Sequence, residues 1–171
     1  MITVMTDKIK TLDQISYYKF LETIVFYQLT CSCGMSGCLI GHGYYNRSVK
    51  TPKGILILSI QRVKCKHCGK THALFPYIIV PYSQITLEDH LSIIAAYTNE
   101  TSFAPIMEAN NFIDEGNIRY VLRQFLRHWK ERIAAFGFSM TDGARALSEQ
   151  SLGAFKRQFM QIKRSLNIRF G

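Results

Sequence analysis

Two kinds of hydrophobic spacing divide this chain. In its first half, short runs rich in β-branched and aromatic residues are bounded by turn formers. In its second half, apolar positions recur every three or four residues. The segment HGYYNRSVK (42–50) reads as a strand, TPKG (51–54) as a turn built on Pro52 and Gly54, and ILILSIQRVK (55–64) as a second strand. HALFPYIIVPY (72–82) reads as a third strand closing against these two. Ahead of them, an amphipathic helix around Leu12–Leu21 leads into a strand, TIVFYQL (23–29).

The helical pattern starts at Thr86, where Asp89 three residues on makes a capping-box-like start, and Leu87, Leu91, Ile94 and Ala95 follow at helical spacing. TNETS (98–102) breaks this helix. Thr101 or Ser102 caps a short second one, FAPIMEAN (103–110), which Asn110 and Asn111 end. Asp114 caps a third helix running to about Phe136. Long helix, short helix, long helix is the order of a helix-turn-helix unit. Along the third helix Ile118, Val121, Leu122, Phe125, Trp129 and Ile133 make a core stripe. Arg119, Arg123, Arg127 and Lys130 make a second, basic stripe, flanked by Asn117, Tyr120 and Gln124. A helix with one apolar and one arginine-rich edge suits a reader of the DNA major groove. A further helix is expected over Ala146–Phe170, with the seam Leu152, Phe155, Phe159, Ile162 and Leu166, and with Lys156, Arg157, Lys163 and Arg164 outside it.

All five cysteines fall between the first helix and the third strand. Cys65-Lys-His-Cys68, followed by Gly69, has the shape of a zinc knuckle: a tight turn aims two sulfurs at one ion, and the glycine eases its backbone. Cys33-x4-Cys38, with Gly34 and Gly37 inside, closes a second loop. The reading is therefore one structural Zn²⁺ held by Cys33, Cys38, Cys65 and Cys68. Cys31 is the main rival to Cys33, and His42, His67 and His72 are further alternatives. Two knuckles joined by a short sheet form a zinc ribbon, whose small core relies on metal for folding energy.

Charge sharpens this picture. The formal net charge is +9 over 171 residues. From Cys31 to Ser83 there are seven Lys/Arg and no Asp or Glu; from Gln84 to Asp114 there are five acids and no Lys or Arg. Two separate basic blocks point to a polyanionic partner. Arg47, Lys50, Lys64 and Lys66 are the expected contacts from the ribbon, and Asn117, Arg119, Tyr120, Arg123, Arg127 and Lys130 those from the helix. The apolar runs Ile55–Leu58 and Tyr77–Val80 are too short to span a bilayer, and the N-terminus has no secretory pattern. A cytoplasmic, nucleoid-associated protein is expected, where clustered cysteines bind metal rather than form disulfides.

The class is thus α+β: a small β zinc ribbon, a helical helix-turn-helix domain and a C-terminal helix. The boundaries are 1–30 for the N-terminal helix and strand, 31–83 for the ribbon, 84–137 for the helix-turn-helix and 138–171 for the C-terminal amphipathic helix. CSCGMSGCLIGHGYYNRSVKTPKG, RVKCKHCGKTHALFP, IVPYSQI, NIRYVLRQFLRHWKERI and FKRQFMQIK resemble the bacterial zinc-ribbon and helix-turn-helix proteins found with insertion sequences, often described as transposase-like or of unknown function. The resemblance runs from about Ile24 to Phe170. Many members of that wider class open with C-x2-C, where this chain has CSC and then Cys38. The resemblance implies binding of double-stranded DNA and of Zn²⁺. No length remains for an RNase-H-like core with three carboxylates, so it implies an accessory or regulatory factor of a mobile element, or a transcription regulator, and no enzyme. The alternative is an adaptor whose ribbon holds a protein partner such as a transposase or polymerase. The C-terminal seam packs on the chain's own core or on a second copy.

Overall fold

Asp13 opens the first helix by accepting from the Ser16 amide at 2.7 Å. Helix α1 then runs Gln14–Glu22 in the computed structural model, which describes residues 1–9 and 11–156. The architecture is α+β: one four-stranded sheet, then helices. The strands are β1 (Ile2–Val4), β2 (Leu39–Thr51), β3 (Gly54–Cys65) and β4 (Thr71–Pro76), in the order β1-β4-β3-β2. β4 runs antiparallel to β3, with Val63 opposite His72, and parallel to β1, with Ile2 opposite Leu74. Three residues are too few to show an alternation, so β1 had no signature in the sequence.

The chain forms two compact units. Among the described residues, the first comprises those of 1–49 and Ile55–Tyr77, and the second the hairpin tip Lys50–Gly54 and those from Ile78 to Lys156. In the first unit, Tyr17 and Phe20 of α1 are fully buried. The Tyr17 hydroxyl donates to the Leu74 carbonyl and accepts from the Gln61 amide, each at 3.0 Å. Gln14 accepts from the Ser59 amide at 2.7 Å. One helix is thereby pinned to two strands by groups that burial would otherwise leave unpaired.

The expected strand at 23–29 is not a strand. The chain leaves α1 through tight turns and makes a short 3₁₀ turn at Phe26–Gln28. Ile24, Phe26 and Leu29 pack instead on the buried cluster of Cys31, Leu39, Val63, Cys65 and Leu74. Their strand-like composition serves burial rather than pairing. The third strand is also shorter than expected: β4 ends at Pro76, and only an isolated bridge, Ile79 to Thr86, follows.

The second unit holds the helices. α2 (Leu87–Thr98) has the capping box of Thr86 and Asp89, α3 spans Ala104–Ala109, and α4 (Glu115–Gln124) has its own box of Asp114 and Asn117. α4 continues through a π turn, Phe125–Trp129, into α5 (Lys130–Ala135). The π turn has a reason in the sequence. Buried Val121, Phe125, Trp129 and Ile133 are spaced by four. In a regular helix each such step drifts by about 40°, and one wider i→i+5 turn rotates the stripe back toward the core. α6 spans Gly143–Phe155, and the Phe155 ring meets those of Phe136 and Phe138 at 4.7 and 6.0 Å. Within the described residues its seam therefore packs on this chain. Phe159, Ile162, Leu166, Arg157, Lys163 and Arg164 lie outside the described residues. None of the described helices is long and apolar enough to cross a membrane.

Candidate functional site

The first unit gathers all five free thiols at the end of the sheet where β3 stops. Two turns bring them together. Cys65 ends β3, its carbonyl accepts from the Gly69 amide at 2.9 Å, and Gly69 takes φ +72°, which a side chain would strain. The Cys68 amide points at the Cys65 sulfur, 3.4 Å away. Opposite, the Gly34 amide closes a turn onto the Cys31 carbonyl, and the Cys31 amide bonds the Met35 carbonyl, both at 2.9 Å. Gly34 sits at φ +90°.

These turns place the sulfurs of Cys31, Cys33, Cys65 and Cys68 within 4.8 Å of one another. The Cys31–Cys68 and Cys33–Cys65 separations are 3.6 and 3.9 Å. Four sulfurs each about 2.3 Å from one ion, at the corners of a tetrahedron, stand about 3.8 Å apart. The set is positioned to hold a metal ion, and its donors suit a thiophilic one.

This tetrad differs by one ligand from the sequence reading of Cys33, Cys38, Cys65 and Cys68. Cys31 stands in it and Cys38 does not. An extended C-x-C would not wrap an ion, but here Cys31–Gly34 is a turn, so both sulfurs converge. Cys38 reaches Cys65 at 3.3 Å, yet its sulfur donates to the Met35 carbonyl at 3.2 Å, and its own carbonyl holds the Lys66 amide at 2.8 Å. Glycine immediately after CSC is the sequence signal for that turn. Of the histidines, His72 touches the cluster most closely: its Nε2 is 3.2 Å from the Cys31 sulfur. His67 Nδ1 is 4.0 Å from the Cys33 sulfur, and His42 is exposed on β2.

The electrostatics suit a cation. The Cys68 amide, ahead of the opposing effect of burial, brings the Cys65 thiol down to about 6. Burial and the neighbouring Cys65 push Cys38 up to about 11. The Lys70 amide lowers Cys68, but burial and the Cys65, Cys31 and Cys33 sulfurs outweigh it and carry it to about 12. The Cys65 thiolate forms readily, and the Cys38 and Cys68 sulfurs then meet the charge already there. A divalent ion removes that repulsion.

The expected nucleic-acid contacts separate into three groups. Lys64 and Lys66 are exposed beside the tetrad, and Arg119, Arg123, Arg127 and Lys130 are exposed on the face of α4–α5 away from buried Ile118, Val121, Phe125, Trp129 and Ile133. Arg119 also approaches Glu115 at 3.6 Å, a fully solvated pair. Tyr120 is half-buried. Arg47, Lys50 and Asn117 have structural partners: the Arg47 guanidinium lies 4.9 Å from the centre of the buried Phe75 ring, and Lys50 binds Asp114 and Asn117 at 2.7 and 2.9 Å.

The fold and site define a class: an α+β protein with a four-cysteine centre placed to bind a metal ion. Residues 30–111 match the model of a domain of unknown function, DUF6431. That stretch contains the five cysteines, β2 to β4, α2 and α3, and stops before the arginine-bearing helix. No curated protein and no solved structure matches the chain significantly.

Proposed function

We propose that this is a DNA-binding protein with one structural Zn²⁺, an accessory or regulatory factor of a mobile element or a transcription regulator. The observation that carries the reading is the division of one helix: Arg119, Arg123, Arg127 and Lys130 are exposed, while the stripe of Ile118, Val121, Phe125, Trp129 and Ile133 is buried. A helix carrying a row of cations matches a groove lined by phosphates, and its guanidinium groups suit the paired acceptors of guanine. α2, α3 and α4 occur in the order of a helix-turn-helix unit. Zn²⁺ fits the donor set, since four thiolates in a closed tetrahedron are its usual structural arrangement. Cys31, Cys33, Cys65 and Cys68 would hold it, and it would stabilise the fold without an open position for chemistry.

A second reading, the adaptor, draws on Ile55 and Ile57. These alternate residues of β3 project to one side and are 69% and 51% exposed. A salt titration of binding to random duplex separates the two. A DNA binder loses affinity steeply between 50 and 200 mM salt, with a log–log slope of about 0.9 per phosphate contacted. An adaptor shows no binding to titrate.

A further inference from the structure

We infer that His72 is a positioning residue of the metal centre: its Nε2–H donates to the Cys31 sulfur, and this bond selects Cys31 over Cys38 as the fourth thiolate. The inference rests on the metal reading above and goes beyond it, because it explains why one of two competing thiols is chosen.

Five thiols compete for four positions. Cys33, Cys65 and Cys68 are common to both possible sets. Cys38 already approaches Cys65 at 3.3 Å, so distance to its neighbours does not exclude it. What distinguishes the two is what lies behind each sulfur. Behind Cys38 is the Met35 carbonyl, an acceptor that wants the thiol proton kept. Behind Cys31 is an imidazole nitrogen at 3.2 Å, which can donate to a sulfur that has lost its proton. A metal-bound sulfur, which carries no proton, accepts a hydrogen bond from a donor behind it and is repelled by a carbonyl oxygen there.

The tautomer follows from the other side of the ring. His72 Nδ1 lies 3.4 Å from the Met1 nitrogen, which as an ammonium donates and has no lone pair to accept with. Nδ1 must therefore offer its lone pair, leaving the proton on Nε2, toward Cys31. The ring cannot turn away, because His72 is 5% exposed and sits in β4 opposite Val63 of β3. The buried side of Cys31, itself 3% exposed, is thus occupied by a fixed donor. This is the arrangement by which outer partners orient ligands and tune a centre.

The test uses the full chain loaded with Zn²⁺, read by competition with a chromophoric chelator and by iodoacetamide footprinting with mass spectrometry. In the parent, Cys38 is alkylated and the other four cysteines are protected. His72→Leu should weaken zinc binding by about 10–100-fold and protect Cys38 from alkylation as it takes the fourth position. His72→Gln, which reaches the same place with an amide N–H, should restore most of the affinity and the parent footprint. Loaded with Co²⁺, His72→Leu should shift the thiolate-to-cobalt absorption bands, and His72→Gln should bring them back.

A His72→Leu protein that keeps parent affinity and a reactive Cys38 overturns the inference, as does protection of Cys38 in the zinc-loaded parent. If His72→Leu does not fold, the parent still decides: nitrogen shifts of the His72 ring must place the proton on Nε2, and a proton on Nδ1 overturns it. A parent that binds no metal at all is a different result, and refutes the metal reading itself.

Discussion

The Lys50 ammonium meets the Asp114 carboxylate at 2.7 Å, joining the tip of the β2–β3 hairpin to the residue that caps α4. Asn117 completes the arrangement, accepting from Lys50 through its side chain while its amide bonds Asp114 at 2.8 Å. The cation counted in the sequence as a DNA contact thus fixes the start of the helix that carries the arginine edge.

Removing that carboxylate has a calculable effect. The Lys50 hydrogen bond, then the Asn117 amide, holds the Asp114 carboxyl below the usual range. A depressed carboxyl stabilises the fold above the unfolded value of about 3.9, and the contribution disappears as pH falls below it. Asp114→Ala should therefore cost about 1 kcal/mol in urea denaturation at pH 7, mostly through the lost cap, and clearly less at pH 3. An equal cost at both values would mean the charge contributes nothing.

His90 gives a pH dependence of its own. It is fully buried, its Nδ1 bonds the Thr86 carbonyl at 2.6 Å, and burial drives it down to about 4. The unfolded chain binds this proton near 6.5 and the folded chain does not until about 4. Stability of the helical unit should fall as pH drops through that window, by up to about 3 kcal/mol. In His90→Leu the share of this slope due to His90 should vanish, as read from urea midpoints followed by helical circular dichroism; an unchanged slope assigns it elsewhere.

Elemental analysis should find one zinc per chain. Cys65→Ser should lose it and unfold the first unit, Cys31→Ser should hold it more weakly as Cys38 takes the fourth position, and Cys38→Ser should keep both metal and fold. Retention of zinc by Cys31→Ser with loss in Cys38→Ser would return the fourth position to Cys38. Acidification should release the metal, because protons compete for the thiolates.

Trp129 is 3% exposed and lies in the π turn of the α4–α5 helix. Trp129→Ala should lower stability by about 3–5 kcal/mol through an unfilled core. A loss under 1 kcal/mol in thermal or urea unfolding would show that the site collapses around the gap.

Arg123 tests the proposed reader. Folded Arg123→Ala should bind a specific duplex less tightly by about 1–3 kcal/mol and lose discrimination at one base pair. Lys64→Ala or Lys66→Ala should weaken specific and random duplexes alike and reduce the salt slope by about one. If Arg123→Ala binds both duplexes as the parent does, the helix is not the reader.

Local chemistry made much of this protein legible from its residues. Capping residues fix helix starts through bonds spanning three positions, so Thr86–Asp89 and Asp114 marked α2 and α4 correctly. A repeat of three and four selects one helix face, so Ile118, Phe125, Trp129 and Ile133 were identifiable as core. The knuckle Cys65–Cys68 is equally local. Tertiary structure decided what depended on residues far apart in sequence. The proposed choice of Cys31 over Cys38 turns on His72, 41 positions beyond Cys31 and 3.2 Å from its sulfur, and no spacing rule contains that contact. Residues 23–29 have strand composition, yet the buried cluster around Cys31 and Cys65 draws them into a turn. Lys50 counts as a free cation in any tally of charge, and becomes a structural one only when the fold brings Asp114, 64 positions away, against it. Composition reports which groups a chain carries; their partners are set by packing, because a buried or paired group is governed by whatever the fold places within about 4 Å of it.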